Sequence, residues 1–175
     1  PASLGHSAAT VAEARAGYTA GGRTTTHLFN AMSGVHHHAP GLAVAALVDD
    51  TVYVELIADG HHVEPSLWPI VVRTKPADRL LLVSDALSLA GVVPDGETGR
   101  VTVGGLTIEV RDARATLLGT ETLAGSVIAL DSAVRNLVAA GIPLPRAVRA
   151  ASANPLALLG VTDRGRIAPG QLAHL

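Results

Sequence analysis

The chain has 175 residues, 48% of them hydrophobic, and its mean hydropathy of +0.36 predicts a globular domain with a well-buried core. Thirteen basic and fifteen acidic residues leave a formal charge of −2, and aromatic residues make up 2%, so the composition argues against nucleic-acid and membrane partners. Cysteine is absent, which excludes disulfides and thiolate metal sites. Any metal must be bound by carboxylates or by the eight histidines, a ligand set that suits Zn, Fe, Mn, Co or Ni.

Targeting signals are missing from the sequence. No stretch approaches the ~18 consecutive apolar residues that cross a bilayer, and the first residues lack the basic and then apolar pattern of a secretion signal. We therefore predict a cytoplasmic location. The chain starts at Pro1 instead of Met and stops within an apolar run at Leu175, so we expect it to be a piece of a longer protein.

Strands and helices alternate in the first half of the predicted structure. A short apolar run ends at Gly5-His6, and the capping-box pattern of residues 10–13 predicts a helix that ends before Gly21. The following elements are a strand over 23–28, a long loop over 29–40, a helix over 41–48, a strand over 51–58, a helix over 64–75 and a strand over 79–83. This alternation is typical of a parallel α/β fold, and four strand ends amount to about half of an eight-stranded barrel.

The second half begins with a different pattern. Residues 94–118 predict an antiparallel hairpin with a two-glycine turn, which interrupts the strand and helix alternation. Helical periodicity resumes over 126–140, 145–151 and 155–159, and residues 165–171 predict a turn-rich entry to a further strand. We expect residues 1–164 to form a partial barrel and residues 165–175 to begin a separate β-structure.

Polar side chains stand where the predicted strands end. His6, His27 and Asp85 follow the first, second and fourth apolar runs, a position that catalytic groups occupy in parallel barrel enzymes. Two imidazoles at neighbouring strand ends would make half of a metal site, whereas each histidine alone also fits a capping or core role. Asp85 fits either proton transfer with a metal-bound water or the N-cap of a following helix.

Three further segments each allow two interpretations. Asn30 is suited to donate to a substrate oxygen or to close an Asx turn. The run His36-His37-His38 fits an anion or metal site, or a solvated loop. Leu123-Ala124-Gly125-Ser126 places small residues at a predicted helix start, where free amides bind an anion or carbonyl, or where Ser126 simply caps the helix.

Five motifs, in this order, resemble those of the N-acetylglucosamine-6-phosphate deacetylases of the amidohydrolase superfamily. They are Gly5-His6-Ser7, Thr26-His27-Leu28-Phe29-Asn30-Ala31-Met32, Ala58-Asp59-Gly60-His61-His62, Ser84-Asp85-Ala86 and Leu123-Ala124-Gly125-Ser126. Residues 134–138, 153–155 and 165–170 match as well, so the resemblance runs the whole length of the chain. The resemblance implies the C-terminal half of a (β/α)8 TIM-like barrel of amidohydrolase type, followed by the start of a small β-sandwich.

The same resemblance implies a reaction and the residues that perform it. A divalent cation, zinc before other metals, would be bound by His6 and His27, and Asp85 would move the proton in hydrolysis of the acetamide of N-acetylglucosamine 6-phosphate. The resemblance also implies a homodimer in which a loop residue reaches the neighbour's phosphate. It implies contacts to the sugar or phosphate at Asn30, Ala31, His62 (not His61), Leu123, Ala124 and Gly125.

This sequence departs from the family pattern in three places. His38 stands where the family has an arginine that binds substrate, so we expect weaker discrimination for the 6-phosphate. The chain lacks the earlier strands that carry the family's acidic metal ligand and its carbonyl-polarising histidine, so we expect the isolated chain to be inactive and to expose apolar strand edges. His174 replaces an acidic residue near the last strand, which we interpret as structural.

Two other functions remain open from the sequence. Another amidohydrolase, acting on an N-acetylgalactosamine phosphate or on a dihydroorotase-like substrate, would keep the fold and change the substrate. A non-catalytic fragment that binds sugar phosphate would keep the site without turnover.

Overall fold

The computed structural model describes residues 1–93 and 97–173 of the chain. Four parallel strands form one sheet in the order β1-β2-β3-β4, so each strand pairs with the next one along the chain. These strands are β1 (Ala2–Leu4), β2 (Gly22–Thr25), β3 (Tyr53–Leu56) and β4 (Leu80–Leu82). Consecutive parallel pairing places all four carboxyl ends at one edge of the sheet.

Helices connect the parallel strands and continue after the last of them. α1 (Val11–Thr19) begins at Thr10, whose capping box with Glu13 is present, and α2 (Gly41–Val48) follows the long loop. A 3₁₀ turn (Pro65–Leu67) leads into α3 (Trp68–Thr74), because Pro69 is compatible only with the first turn of an α-helix. The remaining helices are α4 (Leu130–Ala139), α5 (Leu144–Ala151) and α6 (Ala153–Leu159). Among the described residues, no helix is long and apolar enough to cross a membrane.

The main core lies between the parallel sheet and its helices. Val54, Leu56 and Leu80 of the sheet are fully buried together with Val71 of α3 and Leu137 of α4. Alanines on α2 and α5 let the helices approach the strands closely. The core therefore holds the strand ends in fixed positions.

Lys75, the only lysine of the sequence, is buried at the end of this core. Its Nζ donates to the carbonyl oxygens of Ala46 at 2.9 Å and Asp49 at 2.5 Å, which lie at the end of α2. Burial lowers the pKa of Lys75 to about 8, although the nearby Asp50 and Asp49 favour its charged form. The lysine thus satisfies helix carbonyls that would otherwise be orphaned.

A second, antiparallel sheet lies between β4 and α4. It consists of β5 (Gly99–Val103), β6 (Leu106–Arg111) and β7 (Arg114–Leu117), and Gly104-Gly105 makes the first turn with positive φ at both residues. Ile108, Val110 and Ala115 form its small core. The parallel bridge between Ala86 and Ser126 ties the segment after this sheet to the segment after β4.

The observed elements differ from the predicted ones mainly at their ends. The strand predicted over 23–28 ends at Thr25, and the helix predicted over 126–140 starts at Leu130. Ser126 is therefore not the helix cap; its Oγ donates to the Ser84 carbonyl oxygen instead. Residues 165–173 form turns and no strand, while Pro94, Asp95, Gly96, His174 and Leu175 lie outside the described residues. The β-sandwich start and the domain division at residue 164 stay predictions.

Candidate active site

The ends of the four parallel strands carry the predicted site residues to one edge. His6 and His27 each follow their strand by two residues, and Asp85 follows β4 by three. The segment after β3 brings Asp59 and His62 to the same edge. These residues meet because their strands are parallel neighbours.

His6 and His27 face each other directly. Their Nε2 atoms lie 2.8 Å apart and their rings meet edge to face, with centroids 4.7 Å apart. His27 is buried, and its Nδ1 has no hydrogen-bond partner among the described residues. Two converging Nε2 atoms are the arrangement in which histidines bind a divalent cation such as zinc.

The backbone at the site residues is strained. His6, His27, Ala31 and Asp85 have φ values of 47°, 29°, 50° and 50°, in the left-handed region that is costly for any residue with a Cβ. Strain of this kind concentrates at functional sites, where surrounding contacts hold it. The turn beside His27 is closed by Asn30, whose Nδ2 donates to the carbonyl oxygens of His27 and Leu28 at 3.2 Å each.

Asp59 fixes the orientation of His62. Its Oδ2 lies 2.6 Å from Nδ1 of His62, and its Oδ1 accepts the backbone N–H groups of His61 and His62. Burial raises the pKa of Asp59, but these hydrogen bonds outweigh it and leave the pKa below its ordinary value. The imidazole of His62 is thereby positioned in the cavity, whereas His61 lines an outer groove.

Asp85 is supported by the segment that returns from the antiparallel sheet. Its carbonyl oxygen accepts the N–H of Ser126 at 2.8 Å, and no helix follows within residues 86–93. The N-cap interpretation of Asp85 is therefore wrong. Gly125 has a φ of 128°, and a Cβ there would lie 3.0 Å from the Leu87 side chain and 3.1 Å from the Asp85 carbonyl oxygen. Only glycine allows this close approach.

One cavity of 620 Å³ collects nearly all of the predicted site residues. His38 is the exception: it lies in the exposed 36–38 loop, where its ring contacts those of His36 and His37. His38 therefore does not contact a substrate in this chain's own cavity. The lining residues are His6, His27, Asn30, Ala31, His62, Asp85, Arg114, Glu121, Thr122, Leu123, Ala124 and Gly125.

The donor set fits part of a metal site. His6 and His27 supply two imidazole nitrogens, which suit zinc and several other transition metals. Within residues 1–93 and 97–173, no group of three or more His, Cys, Asp or Glu side chains is arranged to hold a metal. These residues therefore fit as two ligands of a set that needs at least one more.

Sequence reasoning missed three charged residues at the site. Glu55 of β3 accepts the His27 backbone N–H at 3.3 Å, and burial raises its pKa, which the negative charge of Asp85 raises further. Arg114 and Glu121 reach the cavity from the antiparallel sheet and from the turn after it. Glu55 had a visible signal, since it is the one charged residue in an apolar strand.

The comparisons with known proteins agree with this geometry. A sequence profile of the amidohydrolase family matches residues 2–175. The N-acetylgalactosamine-6-phosphate deacetylase of Escherichia coli O157:H7 is 38% identical over 98% of this chain and 45% of its own length. The N-acetylglucosamine-6-phosphate deacetylase of Danio rerio is 40% identical over 93% of this chain and 40% of its own length.

A solved structure matches equally well. A mutant of the N-acetyl-D-glucosamine-6-phosphate deacetylase of Mycobacterium smegmatis, in complex with N-acetyl-D-glucosamine-6-phosphate, superposes with a TM-score of 0.90. Its sequence is 38% identical, over 98% of this chain and 45% of that one. The chain thus spans about half the length of the relatives it matches, and these likenesses confirm the resemblance to the deacetylases. The chain belongs to the amidohydrolase family.

Proposed function

We propose that the protein containing this chain hydrolyses the acetamide of N-acetylglucosamine 6-phosphate to glucosamine 6-phosphate and acetate, with a divalent cation. The observation that carries the proposal is the convergence of His6, His27 and Asp85 in one cavity. Relatives that are 38% to 40% identical and are named as deacetylases of amino-sugar 6-phosphates support the substrate class.

The residues of this chain would divide the work as follows. His6 and His27 would bind the cation, which when bound lowers the pKa of a water and polarises a carbonyl oxygen. The Asp85 carboxylate would take the proton from the attacking water and pass it to the leaving nitrogen, so that the amine departs neutral. His62, Asn30 and the backbone of residues 123–125 would orient the sugar.

Acetate release tests the proposal on the protein at its natural length. We expect turnover of N-acetylglucosamine 6-phosphate that chelation abolishes and added metal restores. Absence of acetate release in the metal-loaded protein would contradict the proposal and favour a non-catalytic sugar-phosphate-binding role. The 175-residue chain alone is expected to be inactive, because two histidines do not complete a catalytic zinc site.

N-acetylgalactosamine 6-phosphate is the second candidate substrate. It is favoured by the 38% identity to the N-acetylgalactosamine-6-phosphate deacetylase of Escherichia coli O157:H7. The two sugars differ only in the configuration of one hydroxyl group, so kcat/KM for each decides between them. A panel that also contains dihydroorotate covers the remaining amidohydrolase alternative.

We also infer that the parallel sheet is the C-terminal half of a (β/α)8 barrel. The consecutive order of its four strands and the 45% coverage of the solved deacetylase support this inference. The choice of zinc, the homodimer and the cytoplasmic location stay predictions, which metal analysis, light scattering and cell fractionation test.

A further inference from the structure

The cavity is lined by an uneven set of charges. Asp85 and Glu121 contribute carboxylates, and among the lining residues that the structure describes only Arg114 carries a permanent positive charge. A phosphate group entering this cavity would meet two carboxylates, so its binding requires a cation nearby. The exposed His36-His37-His38 run does not line the cavity and cannot provide one there.

Arg114 is held by Glu121 in a way that leaves it exchangeable. Its Nη1 lies 2.8 Å from Glu121 Oε2, and Nη2 donates to the Glu121 carbonyl oxygen at 3.3 Å. The Glu121 side chain is 88% exposed and that of Arg114 is 42% exposed, so their ion pair contributes little to stability. The guanidinium is therefore free to exchange this partner for a stronger one.

Arg114 and Glu121 also stand at a boundary. Both residues line the cavity with His6, His27 and Asp85, and both line an outer groove of 700 Å³. An anionic ligand that enters from the groove passes this ion pair before it reaches the histidines. The ion pair thus has the position of an entrance contact.

From this geometry we propose that Arg114 binds the phosphate of the substrate within the same chain, and that Glu121 is the counter-ion which the phosphate displaces. The proposal rests on the deacetylase function proposed above and names a specificity-determining residue for it. A guanidinium forks onto two phosphate oxygens with parallel charge-assisted hydrogen bonds, which a neutral hydroxymethyl group cannot accept with comparable strength. Arg114 therefore discriminates phosphorylated from free sugar.

The test compares kcat/KM for N-acetylglucosamine 6-phosphate with kcat/KM for N-acetylglucosamine, in the protein at its natural length. Loss of a charge-assisted fork predicts that Arg114→Ala lowers this ratio about 10- to 100-fold. Arg114→Lys is expected to fall between the two, because it keeps the charge and loses the fork. Glu121→Gln is expected to raise the ratio about twofold, because it removes the competing carboxylate.

Arg100→Ala is the matched control, since Arg100 lies on the same sheet, pairs with Glu109 and does not line the cavity. A ratio unchanged in Arg114→Ala, or lowered equally by Arg100→Ala, would overturn the proposal. Titration of glucosamine 6-phosphate into the wild type and Arg114→Ala measures the same contact without turnover. Binding about 10- to 100-fold weaker in Arg114→Ala supports the proposal, and equal binding refutes it. Wild-type protein that binds this ligand but releases no acetate would instead contradict the deacetylase function alone.

Discussion

The two sheets of this chain contribute to the cavity in different ways. The parallel sheet presents His6, His27 and Asp85 from strand ends that a large buried core fixes in place. The antiparallel sheet has three buried residues in its core, and it presents Arg114 on an exposed ion pair. One region therefore supports groups that must not move, while the other supplies a contact that must exchange partners.

The largest expected effect concerns the fixed region. Asp85→Asn removes the proton acceptor and keeps the size of the side chain, so we expect kcat to fall about 10²- to 10⁴-fold with bound metal and thermal stability preserved. Asp131→Asn, an exposed change in the first turn of α4, is the control and should leave kcat within about twofold. A kcat for Asp85→Asn within about tenfold of wild type would assign the proton transfer to another group.

Lys75 offers a pH test of the same region. The folded state loses this proton at about pH 8, whereas the unfolded chain keeps it to about 10.5. Between these values the unfolded state binds more protons, so the lysine makes stability rise with pH, by about 3 kcal/mol in total. Urea unfolding between about pH 7 and 10.5 should show this rise in the wild type relative to Lys75→Met, and parallel pH profiles would contradict it.

Gly125 tests the junction between the two sheets. Gly125→Ala forces a side chain into the left-handed region and against Leu87, so we expect a loss of about 2 kcal/mol in stability. Gly119→Ala has a φ of 77° but no atom within 4 Å of its new Cβ, and should cost about 1 kcal/mol. Denaturant titration of both variants measures the difference, and equal losses would mean that the close approach to Asp85 is not constraining.

The smallest effect is expected in the exchangeable region. Arg100→Ala breaks an ion pair in which the arginine side chain is 59% exposed, so stability should change by less than about 1 kcal/mol. Thermal unfolding measures this change. A larger loss would show that the antiparallel sheet depends on its ion pairs and is less adjustable than its small core indicates.

The sequence predicted the parallel region better than the antiparallel one. Apolar runs that end in His6, His27 and Asp85 carry a local signal, and the capping box at Thr10 is a local motif as well. The contact between Arg114 and Glu121 depends on how a chain reversal folds back, which periodicity does not encode. The helix predicted from Ser126 failed because that residue bonds to the segment after β4, 42 positions away.

The left-handed backbone at His6, His27 and Asp85 has a consequence for engineering. Glycine adopts that conformation without penalty, so each of these positions gives up some stability of the fold in order to carry a reactive side chain. Selection for thermal tolerance alone would therefore favour glycine at the very positions where chemistry occurs. Stabilised descendants of this chain have to be screened for turnover in the same round, or the selection will enrich heat-resistant proteins that no longer react.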